Sequence, residues 1–185
     1  MDDQRIIQLY WDRSEKAITA TAAKYGRYCH YIAYNILRND EDAEECVNDT
    51  WLNTWNTIPP QKPRRLQAFL GKITRNLSLN RYEKRTTEKR GGGEITLILD
   101  ELSECIPAEQ GSKIAEELAF TDLLNRFLDT LSPQDCKLFV RRYWYMSPIK
   151  ELTRDFHISE SKASVTLFRT RKKLRTYLEK EGVTL

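Results

Sequence analysis

Three helix starts stand close together in the last third of this chain, and they constrain its fold more than any other feature. In Leu131–Leu178, Ser132-Pro133 precedes Gln134 and Asp135: an N-cap, a proline at the first helical position and an acid in the first turn. Ser147-Pro148 repeats the signal, and Ser159 with Glu160 supplies a third start after a tight turn at Asp155-Phe156-His157-Ile158. The first helix is expected to turn Cys136, Phe139, Val140 and Tyr143 inward, and the second Ile149, Leu152 and Phe156. Two short helices joined by three or four residues, the second strongly basic, form the pattern of a helix-turn-helix.

The last helix divides cleanly at about 100° per residue. Ala163, Leu167, Thr170, Leu174 and Tyr177 share a stripe expected to face the core. Lys162, Val165, Thr166, Arg169, Lys172 and Lys173 share the opposite arc, with Ser161 and Phe168 at its edge. That arc suits duplex DNA. Small residues and the Val165 methyls can approach base edges, Arg169 can reach a guanine or a phosphate, and lysines can hold the backbone.

Charge is segregated along the 185 residues although the net is only +3. Residues 61–93 hold 10 basic and 2 acidic side chains, and residues 137–185 hold 12 and 5. Between them, residues 94–136 hold 2 basic and 10 acidic. Two basic blocks predict two contacts with a polyanion, and the acidic stretch can repel it or mask a basic face. Cys29, Cys46, Cys105 and Cys136 are scattered without metal-ligand spacing, so buried reduced thiols are expected. No charged-then-apolar leader is read at the start, and no apolar run reaches membrane-spanning length. The chain is therefore expected to be cytoplasmic, without membrane insertion.

Earlier in the chain, Ile6, Leu9, Tyr10, Ile18, Ala22 and Tyr25 fall at helical spacing, and a second helix follows through Tyr28, Ile32, Ile36 and Leu37. Arg38-Asn39-Asp40 reads as a turn, and Asp40–Trp55 as a helix. One face of that helix carries Ala43, Val47, Thr50, Trp51, Thr54 and Trp55. Its other sides show Glu44, Glu45, Asn48, Asp49 and Leu52, an acidic surface with an apolar residue within it that suits a protein partner. Ile58–Arg65 contains three prolines and reads as a stiff loop presenting Arg64 and Arg65. Beyond it Leu66, Phe69, Leu70, Ile73, Leu77 and Tyr82 define an amphipathic helix, whose polar side carries Lys72, Arg75, Asn76, Asn80, Arg81, Lys84 and Arg85. Basic residues and amides around an aromatic ring suit an unstacked nucleic-acid strand. No phosphate-binding glycine loop, H-E-x-x-H or G-x-S-x-G is present. No enzyme activity, catalytic residue, metal or cofactor is expected.

The sequence thus predicts an all-α chain of two small helical domains joined by a flexible linker, with a helix-turn-helix in the C-terminal one. Its boundaries are expected at 1–90, 91–113 for the linker, and 114–185. The order of segments resembles the extracytoplasmic-function (ECF) group of sigma factors in the sigma-70 superfamily. Tyr34–Asn39 followed by Asp42–Leu52 looks like the family's polymerase-binding helix, Leu66–Leu77 like its −10-reading helix, and the stretch from Leu131 like its −35-reading domain.

The resemblance implies a promoter-specificity subunit whose partners are core RNA polymerase, promoter DNA and an anti-sigma factor. Glu44, Glu45, Asn48, Asp49 and Leu52 would meet the polymerase. Arg64, Arg65, Phe69, Lys72, Arg75, Asn76 and Asn80 would hold the single-stranded −10 element. Ser161, Lys162, Val165, Thr166, Phe168, Arg169, Lys172 and Lys173 would read the −35 duplex. His157 stands where members usually have glycine, Phe69 where many have tryptophan, and Gly71 where many have an aromatic residue. The alternative is a helix-turn-helix regulator that acts without polymerase, which leaves the first basic block and the Glu44–Leu52 face unused.

Overall fold

The backbone of a computed structural model describes residues 1–88, 93–106 and 114–183. Among these residues the structure is all helix, with no strands: α1 (Asp3–Trp11), α2 (Lys16–Leu37), α3 (Asp40–Thr57), α4 (Leu66–Glu88), α5 (Glu94–Ser103), α6 (Ile114–Asp129), α7 (Pro133–Tyr143), α8 (Ile149–Phe156) and α9 (Glu160–Lys180). The chain forms two compact units, Met1–Gly91 and Gly92–Leu185.

The first unit is built on α2, α3 and α4, with α1 laid against α2. Ile6, Tyr10, Ala17, Cys29, Ile58, Leu66 and Leu70 form its dry centre, all fully buried. The helical spacing read from Ile6 to Tyr25 is interrupted, because the chain breaks at Asp12–Glu15 and α2 then runs unbroken past Tyr28. Arg13 takes a left-handed conformation at φ 52°. Neither glycine nor proline marks this break. Long-range contacts hold it: Arg13 donates to the Trp55 carbonyl at 2.8 Å and lies 5.3 Å from that residue's ring centroid. The turn at Arg38 is as expected, also left-handed, and Asn39 caps α3 by accepting from the Asp42 amide.

Hydroxyls and a thiol line the seam between α3 and α4. The Thr50 and Thr74 hydroxyl oxygens lie 3.1 Å apart, and Cys46 Sγ lies 3.3 Å from Ser78 Oγ. Small side chains let the two helices approach closely, and each hydroxyl also returns a bond to a carbonyl of its own helix, so no polar group is stranded.

In the second unit α7, α8 and α9 pack together, and Phe127 of α6 joins them. Its ring lies 5.6 Å from that of Tyr177 and 6.3 Å from that of Phe139. Ser132 caps α7 and Ser159 caps α9, each accepting from the amide three residues on. Ser147 does not cap α8: its hydroxyl is buried and Pro148 holds the cap position. The Ser147 carbonyl instead accepts from Arg142 Nη1 at 3.1 Å. His157 closes α8 in the left-handed region at φ 52°, ψ 45°, a conformation histidine tolerates better than β-branched residues do.

The expected linker differs most. Over its described part, residues 94–103 form α5 rather than a flexible connection, and Ile95, Ile98 and the following Cys105 are buried. Acidic composition hid an apolar face at helical spacing. Arg90–Gly92 and residues 107–113 lie outside the described residues, as does the side chain of Leu118.

Candidate nucleic-acid interface

On α3, Glu44, Asn48, Asp49 and Leu52 are exposed, Leu52 at 58% of its surface. A groove of ≈ 480 Å³ runs beside them between α2 and α3, with Arg27, His30, Glu44 and Asn48 at its rim and Val47 and Trp51 in its floor. Glu45 is exposed but engaged: its carboxylate accepts from Arg81 Nη2 of α4. Arg81 also lies 3.6 Å from Asp42, and Arg85 bonds Asp42 at 2.9 Å. Part of the first basic block therefore ties α4 to α3, a use that composition does not reveal.

The remaining α4 residues separate by depth. Lys72, Asn76 and Asn80 recur every four residues on an exposed stripe, and Arg64 and Arg65 are exposed in the preceding loop. Phe69 is half-buried and packs against the core of its unit. Arg75 is half-buried too, and desolvation lowers its guanidinium to about 10. At Gly71 a β-carbon would stand 2.5 Å from the Tyr28 hydroxyl, so the space beside this glycine belongs to a ring from α2.

On α9 the two faces separate as the angular reading requires. Ala163, Leu167, Thr170 and Leu174 are buried and Tyr177 half-buried. Ser161, Lys162, Val165, Phe168, Arg169, Lys172 and Lys173 are exposed, and Thr166 is intermediate. Val165 and Phe168 show 44% and 56% of their surface, apolar groups left in water amid cations. Arg169, Lys172 and Lys173 continue with Lys180 along a groove of ≈ 520 Å³ floored by Phe127 and Tyr177.

Sequence reasoning missed Arg142, Arg171 and Glu101. Arg142 is 3% exposed and bonds Glu101 Oε1 at 3.0 Å and Glu94 Oε1 at 3.3 Å. Tyr143 Oη donates to Glu101 Oε2 at 2.9 Å and accepts from Arg171 Nη1 at 2.5 Å. Burial pushes the Tyr143 hydroxyl well above the ordinary phenol range. The signal was available as an acid on an apolar helix, but nothing in sequence pairs residues 101, 142 and 171.

Among the described residues no group of three or more His, Cys, Asp or Glu is placed to hold a metal, and no helix is long and apolar enough to cross a membrane. The exposed surfaces of α3, α4 and α9 thus carry cations, amides and isolated apolar side chains. Residues 22–88, covering most of α2 and all of α3 and α4, match the family model of sigma-70 region 2. Over that stretch the first unit is thus similar to sigma-70 region 2. Sigma factors are transcription initiation factors and not enzymes. No curated protein matches the chain.

Proposed function

We propose that this chain is a sigma factor of the ECF type, which binds core RNA polymerase and directs initiation at promoters by reading −10 and −35 elements. The observation that carries this beyond the region 2 match is α9, whose basic arc is exposed opposite a stripe buried at Ala163, Leu167, Thr170 and Leu174. Joined to α8 through His157–Ser159, it serves as the recognition helix of a helix-turn-helix. Its capped N-terminus approaches base edges with Ser161, Lys162, Val165 and Thr166, while Phe168, Arg169, Lys172 and Lys173 hold the strand farther along.

In the first unit, Glu44, Asn48, Asp49 and Leu52 meet the polymerase, and Glu45 joins them from its bond with Arg81. Arg64, Arg65, Lys72, Asn76 and Asn80 hold the separated −10 strand by cations and amides. A base inside an intact stack cannot be read on its pairing edge, so strand capture and base extrusion belong together. Phe69 and Arg75 form the supporting edge of that surface, each with part of its side chain within the unit.

Capture of core RNA polymerase by the purified protein, repeated with Asp49→Arg, tests the reading. Capture that is lost in the variant is the expected result. No capture by the wild type, with duplex still bound, overturns it in favour of a regulator that works without polymerase.

A further inference from the structure

The acidic helix α5 packs against α7, and its far end reaches the helix proposed to read DNA. Glu94, Asp100, Glu101 and Glu104 lie in and just after it, with no basic residue between them. Two anchors hold it: Ile95 and Ile98 are buried, and Glu94 and Glu101 both meet the buried Arg142. Its far end reaches α9, where Glu101 Oε2 lies 3.3 Å from Arg171 Nη1.

Arg171 sits between the buried stripe and the DNA-facing arc. Its guanidinium carbon lies 5.9 Å from the Phe168 ring centroid. Glu104, Cys105, Phe168, Arg171 and Lys172 line one cleft of ≈ 400 Å³. Two residues assigned to the duplex thus share a cleft with the acidic end of α5. Arg171 meets Glu101 through Nη1, while its Nε is buried without a hydrogen-bond acceptor among the described residues. A phosphate, which arginine binds in bidentate fashion, competes for the same group.

We propose that α5 is an acidic cover on the flank of α9, and that docking of its Glu101–Cys105 end and binding of duplex DNA oppose one another. This rests on the duplex-reading role of α9. A phosphodiester held by Lys172 beside the Phe168 ring faces the Glu104 carboxylate across the cleft, with Glu101 on Arg171 close by, so like charge opposes it while the cover is closed. Displacing Glu101 from Arg171 removes that repulsion and frees a cation, while Arg142 and the two isoleucines keep α5 attached. Coupling of this kind is reciprocal, so DNA loosens the end of α5 by the factor that α5 weakens DNA.

Full-length wild type, Glu101→Gln and Arg169→Ala are compared for binding to a mixed-sequence 30-bp DNA duplex at low salt, where backbone contacts dominate. Glu101→Gln is expected to bind about three- to tenfold more tightly than wild type, with thermal melts showing that both are folded. Hydrogen exchange in the last turn of α5 is measured alongside on the wild type, and duplex is expected to accelerate it. Unchanged or weaker binding by Glu101→Gln, or exchange that duplex leaves unchanged or slows, overturns the proposal. Should Glu101→Gln fail to fold, the exchange measurement decides alone. The Arg169→Ala control separates the two levels: wild-type binding that Arg169→Ala does not weaken means that α9 does not read duplex. Binding weakened by Arg169→Ala, with neither expected effect at α5, defeats the cover alone.

Discussion

Arg169 lies exposed on α9, one turn before Lys172 and Lys173 in the same groove, with buried Leu167 and Thr170 on the other side. Truncating it removes a contact without removing core, so Arg169→Ala should weaken promoter duplex binding by roughly 1–3 kcal/mol while leaving the melting temperature in place. A binding titration beside a thermal melt checks both halves. Gly71 makes the opposite case, in which the side chain that is missing matters. Alanine would favour an isolated helix by about 1 kcal/mol, yet its β-carbon would strike the Tyr28 hydroxyl 2.5 Å away. Gly71→Ala should therefore destabilise by about 1 kcal/mol, overpacking exceeding propensity. In a Tyr28→Phe background, which removes the nearest atom, the loss should vanish. Urea unfolding of the four variants of this cycle measures the difference.

At the scale of elements, α4 does two things with one basic sequence. Arg81 and Arg85 bind the acids of α3, while Lys72, Asn76 and Asn80 remain on an exposed stripe. Exposed ion pairs contribute little individually, at most about 1 kcal/mol each, so their main work here is to fix how α4 lies on α3. Lys72→Ala with Asn76→Ala is thus expected to slow open-complex formation several-fold while leaving polymerase capture near wild type. Equal losses in both assays would mean that the stripe is structural. Most helices were legible for local reasons: caps at Ser132 and Ser159, the break at Arg38-Asn39, and apolar spacing along α3 and α9; the break at Asp12–Glu15 that begins α2 was not. Ser147 shows the limit of a local signal. The dipeptide that caps α7 stands before α8 too, but there the packing of Arg142 engages the serine's carbonyl and the hydroxyl is turned into the interior.

At the scale of the molecule, the second unit begins before the segment that its helix-turn-helix pattern occupies. Arg142 is almost wholly buried, and its two carboxylate partners both come from α5. A buried guanidinium left without its carboxylates costs about 3–5 kcal/mol. A fragment spanning 92–185 should accordingly melt cooperatively, and one spanning 111–185 should melt far lower or without a transition; circular dichroism of the two decides. Sequence by itself determined the helical class, the two faces of α9 and the separation of basic from acidic blocks, because these depend on period and on local capping along one helix. Tertiary structure alone decided that Glu45 is bound to Arg81, that Phe69 and Arg75 lie half within their unit, and that an acidic linker is in part a helix closed over Arg142 and Arg171. Each of these depends on which side chains meet across tens of residues, and a cation's partner is chosen by the packing that brings an anion within reach.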